Sequence, residues 1–280
     1  MRKIFLFVFL GAMLAGACGR KGDAHPLFVK TAAPQHFNGA QRCDYLAAHY
    51  WDKLNPSVFG RASDSIDLEY AYIDFLDVAW NASPAAVDSG VKSALTVLAP
   101  YKEAYSFFLE LAYKYLYEAD SRFENEEMLR SYLDFATSMN RPDDYIRMRA
   151  EYINSMVSSN TVGSKATDFS FILRNGKEST LYSMPDEEML LVFYDPECPH
   201  CTEIVELLSR EVKELVLAVY TEGKDSVWQA TKDLMPSDWT VGMTPYSMSE
   251  ADLFDLKAMP TVYVLDRDKT ILSKNARFLD

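Results

Sequence analysis

Residues 189–208 constrain the fold more than any other stretch of the chain. An unbroken apolar run, Met189-Leu190-Leu191-Val192-Phe193-Tyr194, leads into Cys198-Pro199-His200-Cys201. Ile204, Val205, Leu207 and Leu208 then recur at helical spacing. A strand therefore delivers Cys198 to the N-terminus of a helix. Pro199 stands at the first helical position, where a missing N–H costs nothing. The free N–H groups and the positive end of the helix dipole stabilise a thiolate there. A thiolate attacks disulfides where a thiol does not, and Cys201, one turn on, can close the ring and release the product. The pair reads as a redox-active dithiol.

Three other readings compete. A structural disulfide across so short a loop gains little loop-closure entropy and staples nothing distant. Zinc needs four ligands, and the other cysteines, Cys18 and Cys43, lie far upstream with no second C-x-x-C or H-x-x-x-H. The third is a chance pair of core cysteines, against which the strand before them and the helix after them favour the redox reading. Neither a metal nor an organic cofactor is expected, because a dithiol carries the electrons itself.

The 280 residues suffice for two domains with separate cores. A formal charge of −13 and the lack of a basic stripe argue against a nucleic-acid partner. Four cysteines are too few for a disulfide scaffold and fit cysteine used as chemistry.

The N-terminus reads as an export signal covering residues 1–17. Arg2 and Lys3 are its basic region, Ile4 to Leu14 its apolar core, and Leu14-Ala15-Gly16-Ala17 its small-residue exit. The apolar stretch is shorter than the roughly 20 residues a spanning helix needs. Cys18 directly after that exit resembles a bacterial lipobox, although Leu14 stands four residues before the cysteine rather than three. Ala15-Gly16-Ala17 also fits an ordinary A-x-A cleavage site at the same bond. The resemblance implies that Cys18 is lipidated and ties the protein to a membrane. A cell-envelope location follows, either periplasm-facing or as an outer-membrane lipoprotein.

Residues 18–38 are polar and broken by Gly22, Pro26 and Pro34, as in a flexible tether. Residues 39–158 read as a helical domain. Tyr45, His49, Tyr50 and Trp51 form one apolar face, and Leu68, Tyr72, Phe75, Leu76 and Trp80 a second. Ser83-Pro84 starts a third helix with an N-cap and a proline at the first position. A fourth runs from Tyr101 to about Ala119, and shorter ones occupy Glu126–Thr137 and Pro142–Val157. The aromatic stripes are core, His49 is a satisfied core histidine and Cys43 a small buried hydrophobe. The acidic run Glu124–Glu127 is a solvated face.

Ser158-Ser159-Asn160-Thr161 and Gly163 mark a boundary, beyond which strands and helices alternate. Phe169–Leu173 and Thr180–Tyr182 flank the turn signal Asn175-Gly176. Strands follow at Met189–Tyr194, Leu215–Tyr220, Thr261–Leu265 and Thr270–Leu272, with a helix around Ser226–Leu234. The fold class is therefore α+β overall, an all-α domain followed by an α/β domain with a mixed sheet flanked by helices.

Strand, C-x-x-C, helix and then Met259-Pro260-Thr261 before a strand make residues 161–280 resemble a thioredoxin-fold domain of the exported, membrane-tethered TlpA/ResA-like type. The resemblance implies a cis Met259–Pro260 bond facing the cysteines, with Met259 offering backbone groups to an extended substrate. It further implies a thiol–disulfide oxidoreductase acting on protein thiols and disulfides of the envelope and recharged by a redox partner protein. Pro199 and His200 would tune the potential. Arg42-Cys43-Asp44-Tyr45-Leu46 and His49-Tyr50-Trp51-Asp52 make the whole chain similar to Gram-negative lipoproteins that join an uncharacterised helical domain to such a unit.

The chain departs from that pattern at several points. Val192 stands where thioredoxins carry a buried aspartate, so Glu197, Asp195 or water would handle the second thiol's proton. Glu197 replaces the usual tryptophan and opposes the Cys198 thiolate, while His200 favours it. Pro-His resembles strongly oxidising relatives, so the direction of electron flow stays open. Peroxiredoxins share the fold but need a threonine three residues before the attacking cysteine, where Asp195 stands. The other reading is a non-enzymatic envelope binding protein with a thioredoxin-like scaffold and a helical partner-binding domain. Because the fold normally closes with a helix after its last strand, the helical domain is expected to pack on or near the sheet face left bare.

Overall fold

The computed structural model describes residues 26–138 and 144–274. The export signal, Cys18 and the start of the helix expected from Pro142 lie outside those residues.

Six helices come first: α1 (Gly39–His49), α2 (Ala62–Ala79), α3 (Pro84–Leu98), α4 (Lys102–Ala112), α5 (Glu126–Ser138) and α6 (Asp144–Ser158). Their inward stripes make one aromatic core, in which Trp51 meets Phe108 edge to face at 5.1 Å and Tyr72 meets Phe108 at 5.2 Å. Ser83 caps α3 by accepting from the Ala86 N–H, with Pro84 in the first turn. The helix expected from Tyr101 to about Ala119 is shorter. It gives way after Ala112 to a π-helical turn, Tyr113–Tyr117. The wider turn buries Tyr113 and Leu116, while the Tyr115 and Tyr117 hydroxyls reach Glu69 and Asp255.

Three side chains of this half sit differently from expectation. Trp80 is 57% exposed, because it follows the last buried turn of α2. His49 is not in the core. It is half-buried, and its Nδ1 lies 2.9 Å from Asp52 Oδ2. Cys43 is likewise only half-buried.

The second half is one seven-stranded mixed sheet in the order β2-β1-β5-β4-β3-β6-β7. Its strands are β1 (Ser170–Leu173), β2 (Glu178–Thr180), β3 (Met189–Tyr194), β4 (Leu215–Tyr220), β5 (Thr240–Met243), β6 (Thr261–Leu265) and β7 (Ile271–Lys274). β3, β4 and β5 run parallel, and β1, β2, β6 and β7 extend the two edges antiparallel. Gly176, at φ +83°, makes the β1–β2 turn, a conformation glycine adopts without a steric cost. β5 escapes the sequence reading because it is four residues long and carries Gly242. That glycine is required: a Cβ there would come within 2.6 Å of the Phe171 ring.

Alternation along β3 and β4 sends side chains to two cores. Leu190, Val192, Tyr194, Val216, Ala218 and Tyr220 face α7 (Pro199–Glu211) and α8 (Asp225–Thr231). Leu191, Phe193, Leu217 and Val219 face the opposite way. That second face is not left for the helical domain. Phe169, Leu181, Met184, Met248 and Phe254 close it from within the same half, with α9 (Met248–Ala251) among the covering segments.

The helical half meets the outer side of that cover, residues 252–257, and the end of β7. Here the acidic run is a solvated face only in part: Glu127 is exposed, but Glu124 and Glu126 are not. Glu124 pairs with Lys257 at 2.8 Å and Glu126 with Lys274 at 2.9 Å, and both lysines are nearly buried. Glu124 and Glu126 are spent on the junction between the halves, something no reading of a single helix could reveal.

Candidate active site

β3 ends at Tyr194, and the chain passes Asp195 to reach Cys198 at the N-cap of α7, with Pro199 at its first position. The Cys198 thiol does not cap the helix. It points across to the β6 side, 3.8 Å from the Met259 carbonyl oxygen. The Met259–Pro260 peptide is cis, and β6 starts directly after it. Residues 61 positions apart are thus brought together.

Cys201 lies one turn into α7 and is 1% exposed. Its neighbours in the core include Val192, Ile204 and Tyr194. Burial pushes its thiol up to about 12. The Asp195 N–H, donating to the sulfur at 3.5 Å, opposes that shift, whereas the hydrogen-bonded Cys198 and the Asp195 carboxylate reinforce it. The two cysteines therefore differ: Cys198 reaches the surface, and Cys201 is held as a neutral thiol.

The polar shell is sparse. Val192 is fully buried, so no carboxylate lies beneath Cys201 at that position. Of the two acids considered from the sequence, Glu197 is exposed, while Asp195 is half-buried and near enough for its charge to act on Cys201. His200 sits at the surface with Nδ1 3.6 Å from Glu203 Oε2, one turn on. The imidazole therefore faces a carboxylate as well as the thiols.

Sequence reasoning missed a group of polar side chains around Tyr194, among them Tyr220 and Arg174. Tyr194 and Tyr220 end adjacent parallel strands, with ring centroids 6.4 Å apart and both hydroxyls buried. Burial raises both phenols, Tyr220 to about 12. Arg174, after β1, donates from Nη2 to the Met235 and Pro236 carbonyls. Tyrosine at a strand end carries no motif; strand order alone brings the Tyr220 ring into the core that holds Tyr194 and Cys201. Among the described residues no group of three His, Cys, Asp or Glu is placed to hold a metal ion, and no helix is long and apolar enough to cross a membrane.

Residues 32–160 match the model of a domain of unknown function, DUF5106. A thioredoxin-like protein from Bacteroides caccae is similar over 89% of this chain and 94% of its own, with a TM-score of 0.77 and 27% identity. The C-terminal domain of an uncharacterized protein from Bacteroides fragilis is 33% identical over 42% of this chain and 91% of its own, with a TM-score of 0.40. A thiol-disulfide oxidoreductase from Bacteroides fragilis is 17% identical over 41% of this chain and 92% of its own, at a TM-score of 0.34. No curated protein matches the chain. Fold and similarity together define the class: a helical region that matches the DUF5106 model, joined to a thioredoxin-like domain with a mixed sheet flanked by helices.

Proposed function

We propose that this chain is an exported thiol–disulfide oxidoreductase of the TlpA/ResA-like type, lipid-anchored through Cys18 and acting on protein disulfides through Cys198 and Cys201. The observation that carries the reading is the asymmetry of the pair. Cys198 sits at a helix N-terminus beside the Met259 carbonyl, with a neutral, buried Cys201 one turn behind it. The Cys198 thiolate attacks one sulfur of a substrate disulfide. That S–S bond breaks, one substrate thiolate leaves, and a mixed disulfide forms. Cys201 then loses its proton, for which Asp195 is the nearest candidate acceptor, and attacks Cys198 Sγ. The second substrate thiolate leaves, so the substrate gains two electrons and the protein holds a Cys198–Cys201 disulfide. Oxidation of a substrate dithiol is the same sequence reversed, and a second protein dithiol or disulfide resets the pair.

Replacing Cys201 by serine removes the resolving thiol and leaves the attacking one. Cys201→Ser expressed in the envelope should accumulate mixed disulfides that dithiothreitol releases, whereas Cys198→Ser should accumulate none. Equal or absent adducts in both variants would sink the role assignment. The reduction potential then assigns direction: near about −120 mV the protein is an oxidant, and near about −270 mV a reductant.

A further inference from the structure

The segment that presents Met259 is held from outside its own domain. Asp255, 3% exposed, accepts from the Tyr117 hydroxyl through Oδ1 at 2.8 Å. Lys257, 5% exposed, lies 2.8 Å from Glu124 Oε1 and 3.7 Å from Glu126 Oε1, ion pairs without a hydrogen bond, with its ammonium 4.6 Å from the centre of the Tyr117 ring. Lys274 ties Glu126 to the same cluster and lies 3.9 Å from Asp255. Upstream, the Tyr152 hydroxyl donates to Asp252 at 3.0 Å. Asn160, between the halves, donates to the Leu253 carbonyl at 2.7 Å. Every one of these outer groups except Lys274 comes from the helical half or from the connection to it. Two residues after Lys257, the Met259 carbonyl faces Cys198.

We infer that the helical half is a clamp on the loop opposite the dithiol, with Lys257 and Asp255 as positioning residues that act through Met259. Two lysines and three carboxylates out of bulk water interact strongly and have few alternative arrangements, so they define one position for the segment. The cluster joins two separate cores and thereby couples the position of the loop to the seating of the helical half. A protein that engaged the helices could alter substrate docking without touching a cysteine. The catalytic part of this inference rests on the oxidoreductase reading; the positioning part does not.

The test compares the full chain with Lys257→Met and with Tyr117→Phe, which deletes one hydroxyl and leaves every charge in place. Amide hydrogen exchange at residues 253–260 should become about tenfold faster in both variants, with β3 and α7 unchanged. In single-turnover reduction of a disulfide-bonded peptide by the pre-reduced protein, the half-saturating peptide concentration should rise about tenfold, with the limiting rate within twofold. Unchanged exchange at 253–260 in Tyr117→Phe overturns the clamp, and so does exchange that accelerates equally in β3 and α7. If the reduced protein reduces no disulfide-bonded peptide and the oxidised protein oxidises no dithiol peptide, the oxidoreductase reading falls, and the exchange comparison alone decides the clamp.

Discussion

At the scale of single residues, Cys201 ties the proposed chemistry to stability. In the unfolded chain its thiol meets water and loses its proton near pH 8.5. In the fold, burial holds that proton up to about 12. Between those values the unfolded chain binds fewer protons, so the stability of the reduced protein falls as pH rises through the window. Urea midpoints of the reduced protein should therefore drop more between about pH 8 and 10 than those of Cys201→Ser. The buried tyrosines add a slope of the same sign only above about pH 10, where free phenols ionise. Parallel midpoints for the two proteins would remove burial of Cys201 as the cause. Cys198 and Cys201 were legible in the sequence because a strand, two thiols and a helix are contiguous. Tyr220 and Arg174 were not, because nothing local marks a residue that only strand order brings close.

At the scale of elements, Gly90 sets the approach of α3 to α1. A Cβ at that position would stand 2.1 Å from the Ala47 carbonyl oxygen, a backbone atom that no side-chain rotation can clear. Alanine normally favours a helix over glycine by about 1 kcal/mol. Here the overlap wins, and Gly90→Ala should destabilise the protein by roughly 1–3 kcal/mol, as overpacked cores do. A thermal or urea melt reads this directly, and a rise in stability would mean that α1 shifts freely. The same level shows where periodicity succeeds and fails. β3, β4 and β6 keep the bounds read from their apolar runs, since each is buried on both faces. β5 hides behind its glycine, and α4 yields to a π turn that no spacing rule marks.

At the scale of the whole molecule, the expectation that the helices pack on or near a bare sheet face resolves to near: they meet the segment that covers the sheet and the end of β7, not the face itself. The buried residues of both sheet faces pack among themselves within residues 166–271, and the two halves meet through ion pairs and hydroxyls. A fragment of residues 160–280 should therefore be soluble and melt cooperatively, because separation exposes mainly groups that water solvates well. Its loop at 253–260 should exchange faster than in the full chain. Aggregation of the fragment would mean that the helices cover an apolar part of the sheet after all.

Contiguous chemistry was readable from the chain alone. The apolar runs implied strands, the amphipathic stretches helices, and Cys198-Pro199-His200-Cys201 after a buried strand a dithiol at a helix N-terminus. Met259 and Pro260 were found through resemblance. What tertiary structure decided was everything that depends on which distant groups share one low-dielectric space. Glu124 and Glu126 look like surface charge until Lys257 and Lys274 arrive from the other half. The fate of a charged residue is set by what excludes water around it, and local sequence does not encode that exclusion.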